Sequence, residues 1–343
     1  MKLWQFKILG IAVLSFGGLL FVFNGTGKIF TTRIGSCKEA LNAYQFQEAN
    51  GNSLKELMNT CLEDGVDLNG NIDYIYLKRN LINFSCPQSW KYLSAPKPLV
   101  ALASYPGSGN TWTRELIETA TGLHTGSIYK DWNFVGSKMC PTRGKIFIVK
   151  THLTSSTAHH PDCRKIGVSN LNYSKAIFIL RNPYNTLLAE FNRQNAIQPS
   201  IKTLFFNTGE GLAPAKMFSS EKWKAFVMKG ANKWKHMSLY WLDKFDGPAY
   251  VLVYERVREN TLSEIYNLTK YLNISVPFNS LYCISSNTTG NYHRIKPKWM
   301  TVEKLYDENL RKEVNIVIED VIAKVGLRKN ITDILHSYLL PVN

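Results

Sequence analysis

Four continuous apolar runs follow one another after residue 97, and polar or amphipathic stretches separate them. The runs are PLVALASYP (98–106), KIFIVKTH (145–152), KAIFILRNP (175–183) and PAYVLVYE (248–255). Short apolar runs bounded by turn residues are typical of strands buried on both faces of a sheet. Helical spacing predicts helices over 110–121 (ahead of a Gly122 cap), 183–194, about 219–244, 260–272 and 302–325. Strands that alternate with helices predict an α/β fold, with a parallel sheet and crossover helices.

The first apolar block of the chain has a different length. Residues 8–27 carry no charge, which is about the length that crosses a bilayer as a helix. Lys2 and Lys7 precede the block, so the pattern predicts a cytoplasmic tail (1–7) and a transmembrane signal anchor (8–27). A cleaved signal peptide is the alternative, but no small-x-small cleavage site follows the block. Lys28 and Arg33 weaken the charge asymmetry. Either interpretation places the remaining chain in the secretory lumen.

Residues 28–97 read as a luminal stem or small cap, because the proline-containing stretch SAPKPL (94–99) marks a boundary before the domain of residues 98–343. The chain has six cysteines, and an even count in a luminal protein suggests disulfides. Cys140 and Cys163 bracket the second apolar run and are one candidate pair. None of the cysteines has zinc-ligand spacing, so we predict no metal. Seven Asn-x-Ser/Thr sites support a glycoprotein in the lumen.

The charge balance favours acidic partners. Lys and Arg number 41 and Asp and Glu number 26, which gives a net charge of +15. Such a charge suits nucleic acid, anionic lipid, phosphorylated cofactors or acidic glycans, or it is simply a solvated basic surface. No run of five basic residues and no nucleic-acid signature occurs, so we expect no nucleic-acid partner.

The first predicted strand leads into the glycine turn Gly107-Ser108-Gly109-Asn110-Thr111 and then into a helix. Glycines let backbone N–H groups approach a phosphate closely, and the helix N-terminus adds unsatisfied donors and a favourable dipole. The sequence is not a Walker motif. The alternative is a plain strand-to-helix turn.

Two further strand ends carry candidate chemistry. Lys150 and His152 end the second strand two residues apart, so both side chains point to one side, where one can neutralise charge and the other can take a proton. Arg181 ends the third strand, where an arginine can grip a phosphate with two parallel hydrogen bonds. A polar strand end and a salt-bridged surface arginine are the alternatives. Ligands of parallel α/β sheets bind at this edge.

Together the motifs YPGSGNTW, KTH, LRNPYNTLLAEF and VLVYERVREN resemble the sulfotransferase superfamily in order and spacing. This family uses 3′-phosphoadenosine 5′-phosphosulfate as donor and has a P-loop-like fold. RNPYNTLLAEFNR and LYCISSNTTGNYHRIK most resemble the WSC-domain-containing sulfotransferases, which are type II membrane proteins. Residues 31–97 contain too few cysteines for an evident WSC domain.

The resemblance implies a role for each motif residue. The predicted co-substrate-binding residues are Gly107, Ser108, Gly109, Asn110, Thr111, Trp112, Arg181 and Arg294. Of these, Ser108 to Trp112 would hold the 5′-phosphosulfate, and the two arginines the 3′-phosphate. His152 would deprotonate the acceptor hydroxyl and Lys150 would stabilise the leaving phosphate. Glu255 matches a position with a structural role.

Two positions depart from the pattern of the cytosolic relatives. Gly107 stands where they carry a lysine, and Ala189 where they carry a phosphate-binding serine. The missing lysine removes a cation near the bridging oxygen, for which Lys150 or Arg114 could compensate.

The resemblance therefore implies a membrane-anchored Golgi sulfotransferase with its catalytic domain in the lumen and a glycan acceptor, sialylated or otherwise acidic. The alternatives are a non-catalytic glycan-binding relative and another nucleotide-dependent luminal transferase. Two features are not assigned to the site: the polar loop with His159, His160 and Asp162, and the aromatic residues of 219–244, which indicate a helix core face more than a sugar platform.

Overall fold

The structure is a computed structural model that describes residues 2–5, 12–16, 19–23, 29–33, 89–131, 134–196, 211–276, 280, 283–284, 294, 296–326 and 328–342. The chain divides into two compact units, Met1–Tyr76 and Leu77–Asn343.

The first unit contains a four-stranded antiparallel sheet. Its strands, in order across the sheet, are β1 (Lys2–Gln5), β2 (Ala12–Phe16), β3 (Leu19–Phe23) and β4 (Ile29–Arg33). Residues 12–16 and 19–23, for which a helix over 8–27 is predicted, are therefore strands. Among the residues that the structure describes, no helix is long and apolar enough to cross a membrane. An apolar run is compatible with a helix or with strands. The Gly17-Gly18 pair between β2 and β3 is also a sequence signal for a hairpin.

The second unit is built on a five-stranded parallel sheet, which confirms the predicted fold class. Its strands are β5 (Leu99–Ser104), β6 (Gly126–Ser127), β7 (Ile148–Thr151), β8 (Tyr173–Leu180) and β9 (Ala249–Val253). They lie in the order β6-β7-β5-β8-β9. The first of these five strands along the chain, β5, is central in the sheet, with β7 on one side and β8 on the other. The carboxyl ends of β5, β7 and β8 therefore meet where the chain order reverses, which is where parallel sheets bind ligands.

The helices follow the predicted pattern with small differences. They are α1 (Asn110–Thr121), α2 (Pro161–Lys165), α3 (Pro183–Asn195), α4 (Glu221–Leu239), α5 (Tyr254–Glu259), α6 (Thr261–Tyr271), α7 (Val302–Leu305), α8 (Glu308–Val325) and α9 (Lys329–His336). A π-helical turn, Tyr240–Lys244, continues α4. The single helix predicted over 302–325 is two helices, because the Asp307 carboxylate caps α8 by accepting from the Leu310 amide at 2.9 Å.

The largest core cluster packs α3, α4 and α8 against one face of the sheet. Trp223, Trp234 and Trp241 of α4 and its continuation are each 1% exposed, which confirms the predicted core face. Two of them also reach strand ends. The Trp234 indole N–H donates to the Arg181 carbonyl oxygen at 3.2 Å, and Trp241 donates to the Leu153 carbonyl oxygen at 3.1 Å. The core helix therefore holds the backbone next to two of the candidate motifs.

A second, smaller core cluster contains a disulfide between Cys140 and Cys163, which confirms the candidate pair. His160 next to it is fully buried, and its Nδ1 accepts from the Asp162 amide at the start of α2. Its Nε2 lies 3.0 Å from the Ser137 carbonyl oxygen. His160 is therefore a helix cap that also ties α2 to residue 137.

Candidate active site

The turn after β5 has glycines at both positions where its backbone is left-handed. Gly107 and Gly109 each have φ of +87°. A Cβ on Gly107 would lie 2.6 Å from the Thr186 carbonyl oxygen, and one on Gly109 would lie 2.5 Å from the Tyr254 ring. Side chains are therefore excluded at both positions by conformation and by the neighbours.

Gly107→Lys, which would install the lysine of the cytosolic relatives, is expected to lower the free energy of unfolding by about 3 kcal/mol. The new side chain would need a strained φ and would press on the Thr186 carbonyl of α3. Chemical denaturation measures the loss.

Gly122→Lys is the matched control, because Gly122 also has a positive φ but a Cβ there would meet nothing within 4 Å. This variant therefore loses stability only through the strained backbone conformation. Equal losses at the two positions would show that the contact with α3 contributes nothing.

Several donors at this turn have no hydrogen-bond partner in the part of the chain that the structure describes. Helix α1 begins at Asn110 with no side-chain cap on its first amides. The Ser108 hydroxyl and the Trp112 indole nitrogen are buried without a hydrogen-bond partner among the described residues. Buried polar groups are nearly always paired, so unpaired donors beside open helix amides indicate that a polar ligand completes them.

Asn110 is used differently from the other turn residues. Its side-chain Nδ2 donates to the Leu102 carbonyl oxygen at 3.0 Å and to the Ser104 hydroxyl at 3.1 Å. The side chain thus ties the start of α1 back onto β5. Its Oδ1 is buried without a hydrogen-bond partner among the described residues. Thr111, one residue further, is partly exposed.

Arg181 directly follows β8, and its side chain contacts the same turn. Its Nη1 donates to the Gly107 carbonyl oxygen at 2.6 Å, and its guanidinium stacks 4.0 Å from the centre of the Tyr254 ring. The same Tyr254 ring also meets the Trp112 ring edge-on, with 5.6 Å between the ring centres. The Arg181 Nε is buried without a partner among the described residues. Burial lowers the pKa of Arg181, and an anion would compensate for that cost.

His152 contacts the end of β5, directly before the turn. Its Nδ1 lies 2.7 Å from the Ser104 carbonyl oxygen, so Nδ1 carries the hydrogen and Nε2 keeps its lone pair. Burial, and next the charge of Lys150, lower the pKa of His152 to about 4. The imidazole is consequently neutral at physiological pH, as a proton acceptor must be.

Lys150 precedes His152 and is mostly buried. Its Nζ lies 3.2 Å from the Asp131 carboxylate, and its side chain is 15% exposed. Burial lowers the pKa of Lys150, and the Asp131 charge raises it. Asp131 was not among the predicted site residues, because nothing in its local pattern distinguishes it from a surface acid.

Arg114 does not compensate for the missing lysine of the turn. Its side chain is fully buried and donates to Thr125, Ser137 and Asp131 at distances of 2.7–3.1 Å. The guanidinium also stacks 3.7 Å from the centre of the Phe134 ring. Each of these contacts holds it within the protein. Lys150 is the only one of the two suggested cations that stands beside His152 at the end of β7.

Arg294 lies against α3, where its Nη1 donates to the Ala189 carbonyl oxygen at 3.1 Å. Lys296 is a further cation that the sequence reasoning missed. Burial, and then the charges of Arg181, Arg258 and Arg294, lower the pKa of Lys296 to about 8, although the residue as a whole is exposed. Its place two residues after Arg294 is the signal that could have found it.

Glu190 and Arg193 form a second pair that the sequence reasoning missed. Glu190 is 2% exposed, and its backbone nitrogen would lie 3.0 Å from a Cβ on Gly107. Arg193 donates to both its carboxylate oxygens, at 2.7 and 2.6 Å, while 53% of the arginine side chain stays exposed. The buried Glu190 carboxylate therefore holds the exposed Arg193 guanidinium in place on α3, the helix that packs on the turn.

Glu255 has structural contacts. Its two carboxylate oxygens accept from the Asn182 amide at 3.0 Å and from the Tyr338 hydroxyl at 2.9 Å. It joins the start of α3 to the carboxyl-terminal segment. These contacts agree with the structural role that the resemblance implied.

The fold and these motifs define a class of protein. A family model for the sulfotransferase domain matches residues 97–314, more than half of the chain, so the protein belongs to the sulfotransferase domain family. Within it, the chain is a member of the WSCD family, since it is 30% identical over 260 residues to WSCD family member CG9164 of Drosophila melanogaster. That match covers 71% of this chain and 74% of the relative. The suspected family is thus confirmed.

Further relatives agree. WSCD family member GA21586 of Drosophila pseudoobscura pseudoobscura is 29% identical over 275 residues, 75% of this chain and 79% of its own length. WSCD family member AAEL009094 of Aedes aegypti is 32% identical over 206 residues, 58% of each chain. A crystal structure of mouse sulfotransferase SULT7A1 complexed with PAP covers 71% of this chain and 90% of its own, with 17% identity and a TM-score of 0.41.

Proposed function

We propose that this protein transfers a sulfuryl group from 3′-phosphoadenosine 5′-phosphosulfate to a hydroxyl group of an acidic glycan. One observation carries the proposal: His152 contacts Ser104, the last residue of β5, and Arg181 contacts Gly107 in the turn that follows it. A proton acceptor and a phosphate-binding cation therefore flank one anion-binding turn.

The chemistry follows from this arrangement. The acceptor oxygen attacks sulfur in line, and the bond between sulfur and the 5′-phosphate oxygen breaks. His152 Nε2 takes the acceptor proton, and adenosine 3′,5′-bisphosphate leaves. Lys150 offsets the charge that develops on the leaving phosphate. Positioning and charge stabilisation supply most of the rate in related group transfers.

The co-substrate fits the residues that are present. The turn amides, Ser108 and Trp112 offer donors for the 5′-phosphosulfate, and Arg181, Arg294 and Lys296, whose charges interact, offer cations for the 3′-phosphate. No group of three or more potential metal ligands occurs in the described part of the chain, and the proposed steps call on none.

Two assays test the function. Adenosine 3′,5′-bisphosphate and the phosphosulfate donor are expected to raise the melting temperature of the protein, whereas ATP and sugar nucleotides are not. Transfer of radioactive sulfate from the donor onto a glycan array then identifies the acceptor. Stabilisation by ATP would instead support another nucleotide-dependent luminal transferase.

A non-catalytic glycan-binding relative is the second candidate. The steric closure at Gly107 favours it, because no lysine can stand in the turn. Stabilisation by glycans, with no response to either adenosine nucleotide, would support this candidate over the enzyme.

Arg193 supports an acidic acceptor. Its guanidinium is half exposed and held by Glu190 on the helix that packs on the turn. Its charge is among those that lower the pKa of His152, so the guanidinium lies within electrostatic range of the proposed base. Glu190 accepts from Nε and Nη2, and the remaining edge of this preorganised guanidinium is a suitable partner for a carboxylate or sulfate.

Arg193→Ala is expected to raise KM for a sialylated oligosaccharide about tenfold. Transfer to the desialylated form of the same oligosaccharide is expected to stay the same, because it lacks the anion. Initial rates at several acceptor concentrations measure both. Arg164→Ala removes an exposed arginine of α2 and is the control. Equal losses with both acceptors would contradict the role in anion binding.

We further propose that the protein is located in the Golgi with its catalytic domain in the lumen. The uncharged run over 8–27, the seven glycosylation sites and the Cys140–Cys163 disulfide support an oxidising, luminal setting. The strands β2 and β3 within that run argue against a helical anchor. Alkaline extraction of cell membranes decides: an anchored protein stays in the pellet, and a peripheral protein is released.

A further inference from the structure

The segment that follows β6 contacts both residues of the proposed catalytic pair. The Ile128 amide donates to the Lys150 carbonyl oxygen at 3.0 Å, which continues the pairing of β6 with β7. The Tyr129 ring stacks on the His152 ring at 5.9 Å and 27°. Asp131, two residues later, accepts from the Lys150 ammonium at 3.2 Å. One short segment therefore meets both side chains.

Asp131 is itself held in place by a second cation, Arg114. The same carboxylate oxygen accepts from Arg114 Nη1 at 2.9 Å. Arg114 is fully buried, and its other donors are bound to Thr125 and Ser137. The position of Asp131 is thus determined by a rigid buried network and not by the site alone.

The charges around Lys150 make this contact important. Arg114 of α1 and Arg193 of α3 both disfavour its ammonium form, as burial does, and the His152 ring beyond the end of β7 is neutral. Asp131 is the acid whose charge favours the ammonium form. A lysine that stabilises a leaving phosphate must be protonated, so a carboxylate at this place has a direct consequence for the reaction.

We propose that Asp131 is a positioning residue, which keeps Lys150 charged and directed to the site beside His152. The inference rests on the proposed function, in which Lys150 stabilises the leaving phosphate. Asp131 need not contact either substrate to act in this way, because it acts through the lysine.

The charge state of Lys150 can be measured without any activity. Competitive labelling of lysine amines with acetic anhydride between pH 6 and pH 10, followed by mass spectrometry, reports the titration of each amine. In Asp131→Asn the titration of Lys150 is expected to move to lower pH, because the favourable charge is gone. Asp162→Asn is the matched control, since Asp162 pairs at 3.4 Å with Lys165, an exposed lysine on α2. It is expected to leave Lys150 unchanged.

The kinetic readout separates positioning from general structural damage. In Asp131→Asn, kcat/KM is expected to fall about tenfold more at pH 9 than at pH 7, as Lys150 loses its proton. The double variant Asp131→Asn with Lys150→Arg is expected to lose that alkaline decline, because arginine stays charged. A purely structural role would lower the rate equally at both pH values.

A titration of Lys150 that is the same in wild type and in Asp131→Asn would overturn the proposal, whatever the enzyme does. If the wild type transfers no sulfate, the proposed function fails but the labelling result still decides the role of Asp131. Should Asp131→Asn not fold, Asp131→Glu keeps the charge and displaces it. That variant is expected to retain the Lys150 titration with a lower kcat, and an unchanged kcat would count against positioning.

Discussion

His152→Ala is expected to reduce sulfuryl transfer by about 1000-fold, while the affinity for adenosine 3′,5′-bisphosphate stays within about twofold. In the proposed mechanism the imidazole is the neutral base, and its Nδ1 is held by the Ser104 carbonyl oxygen. Its removal takes away proton transfer but no contact with the donor phosphates. Single-turnover transfer measures the loss, and calorimetric titration measures the affinity.

The pH profile gives an independent check of the same residue. The base must be neutral, and its pKa is lowered to about 4, so kcat/KM is expected to decline only as pH falls through about 4. An unperturbed histidine would produce the decline near pH 6.5. His159→Ala is the control, because His159 is exposed in the loop before α2. Full transfer by His152→Ala would remove the assignment of the base.

Arg181→Ala is expected to weaken binding of adenosine 3′,5′-bisphosphate about 100-fold, which corresponds to about 2.7 kcal/mol. The Nε of Arg181 has no partner among the described residues, and its guanidinium carries a buried charge beside the turn. Its loss removes the charge that an anion would pair with. Calorimetry with the bisphosphate measures the change.

Arg181→Lys distinguishes charge from geometry. Lysine keeps the charge but lacks the planar fork that stacks on Tyr254 and reaches Gly107, so affinity is expected to recover only in part. Arg164→Ala on α2 is the surface control. Because Arg181 also holds the Gly107 carbonyl, thermal melting must accompany both variants. Unaltered affinity in Arg181→Ala with normal melting would contradict the assignment to the phosphate.

The order of strands and helices in the second unit could be predicted well. The runs of residues 98–106, 145–152 and 248–255 contain β5, β7 and β9, and the run of residues 175–183 contains β8 except its first two residues. Strands buried on both faces must be apolar throughout, so their signal does not depend on distant contacts. Short elements such as β6, α2 and α5 were missed, since two to six residues carry too little periodicity.

The first unit shows the limit of the same reasoning. An uncharged apolar run over 8–27 predicts a spanning helix, yet β2 and β3 occupy part of it. The run is long enough for one spanning helix or for two strands. Its own residues do not show which backbone groups it hydrogen-bonds to.

The sequence by itself determined which residues gather at one edge of the sheet. Once the strands are parallel, the turn of Gly107, the pair Lys150 and His152, and Arg181 must all lie at carboxyl ends. The glycines follow for the same local reason, since only they adopt a φ of +87° without strain.

Only the tertiary structure decided how those side chains are used. Packing across elements binds Arg114 inside a buried network, turns the Asn110 side chain back onto β5, and places Asp131 on Lys150. These contacts join residues from different elements, and burial determines whether a charge is kept, paired or neutralised. Local pattern carries no information about either, so the electrostatics of the site emerged only when the chain was folded.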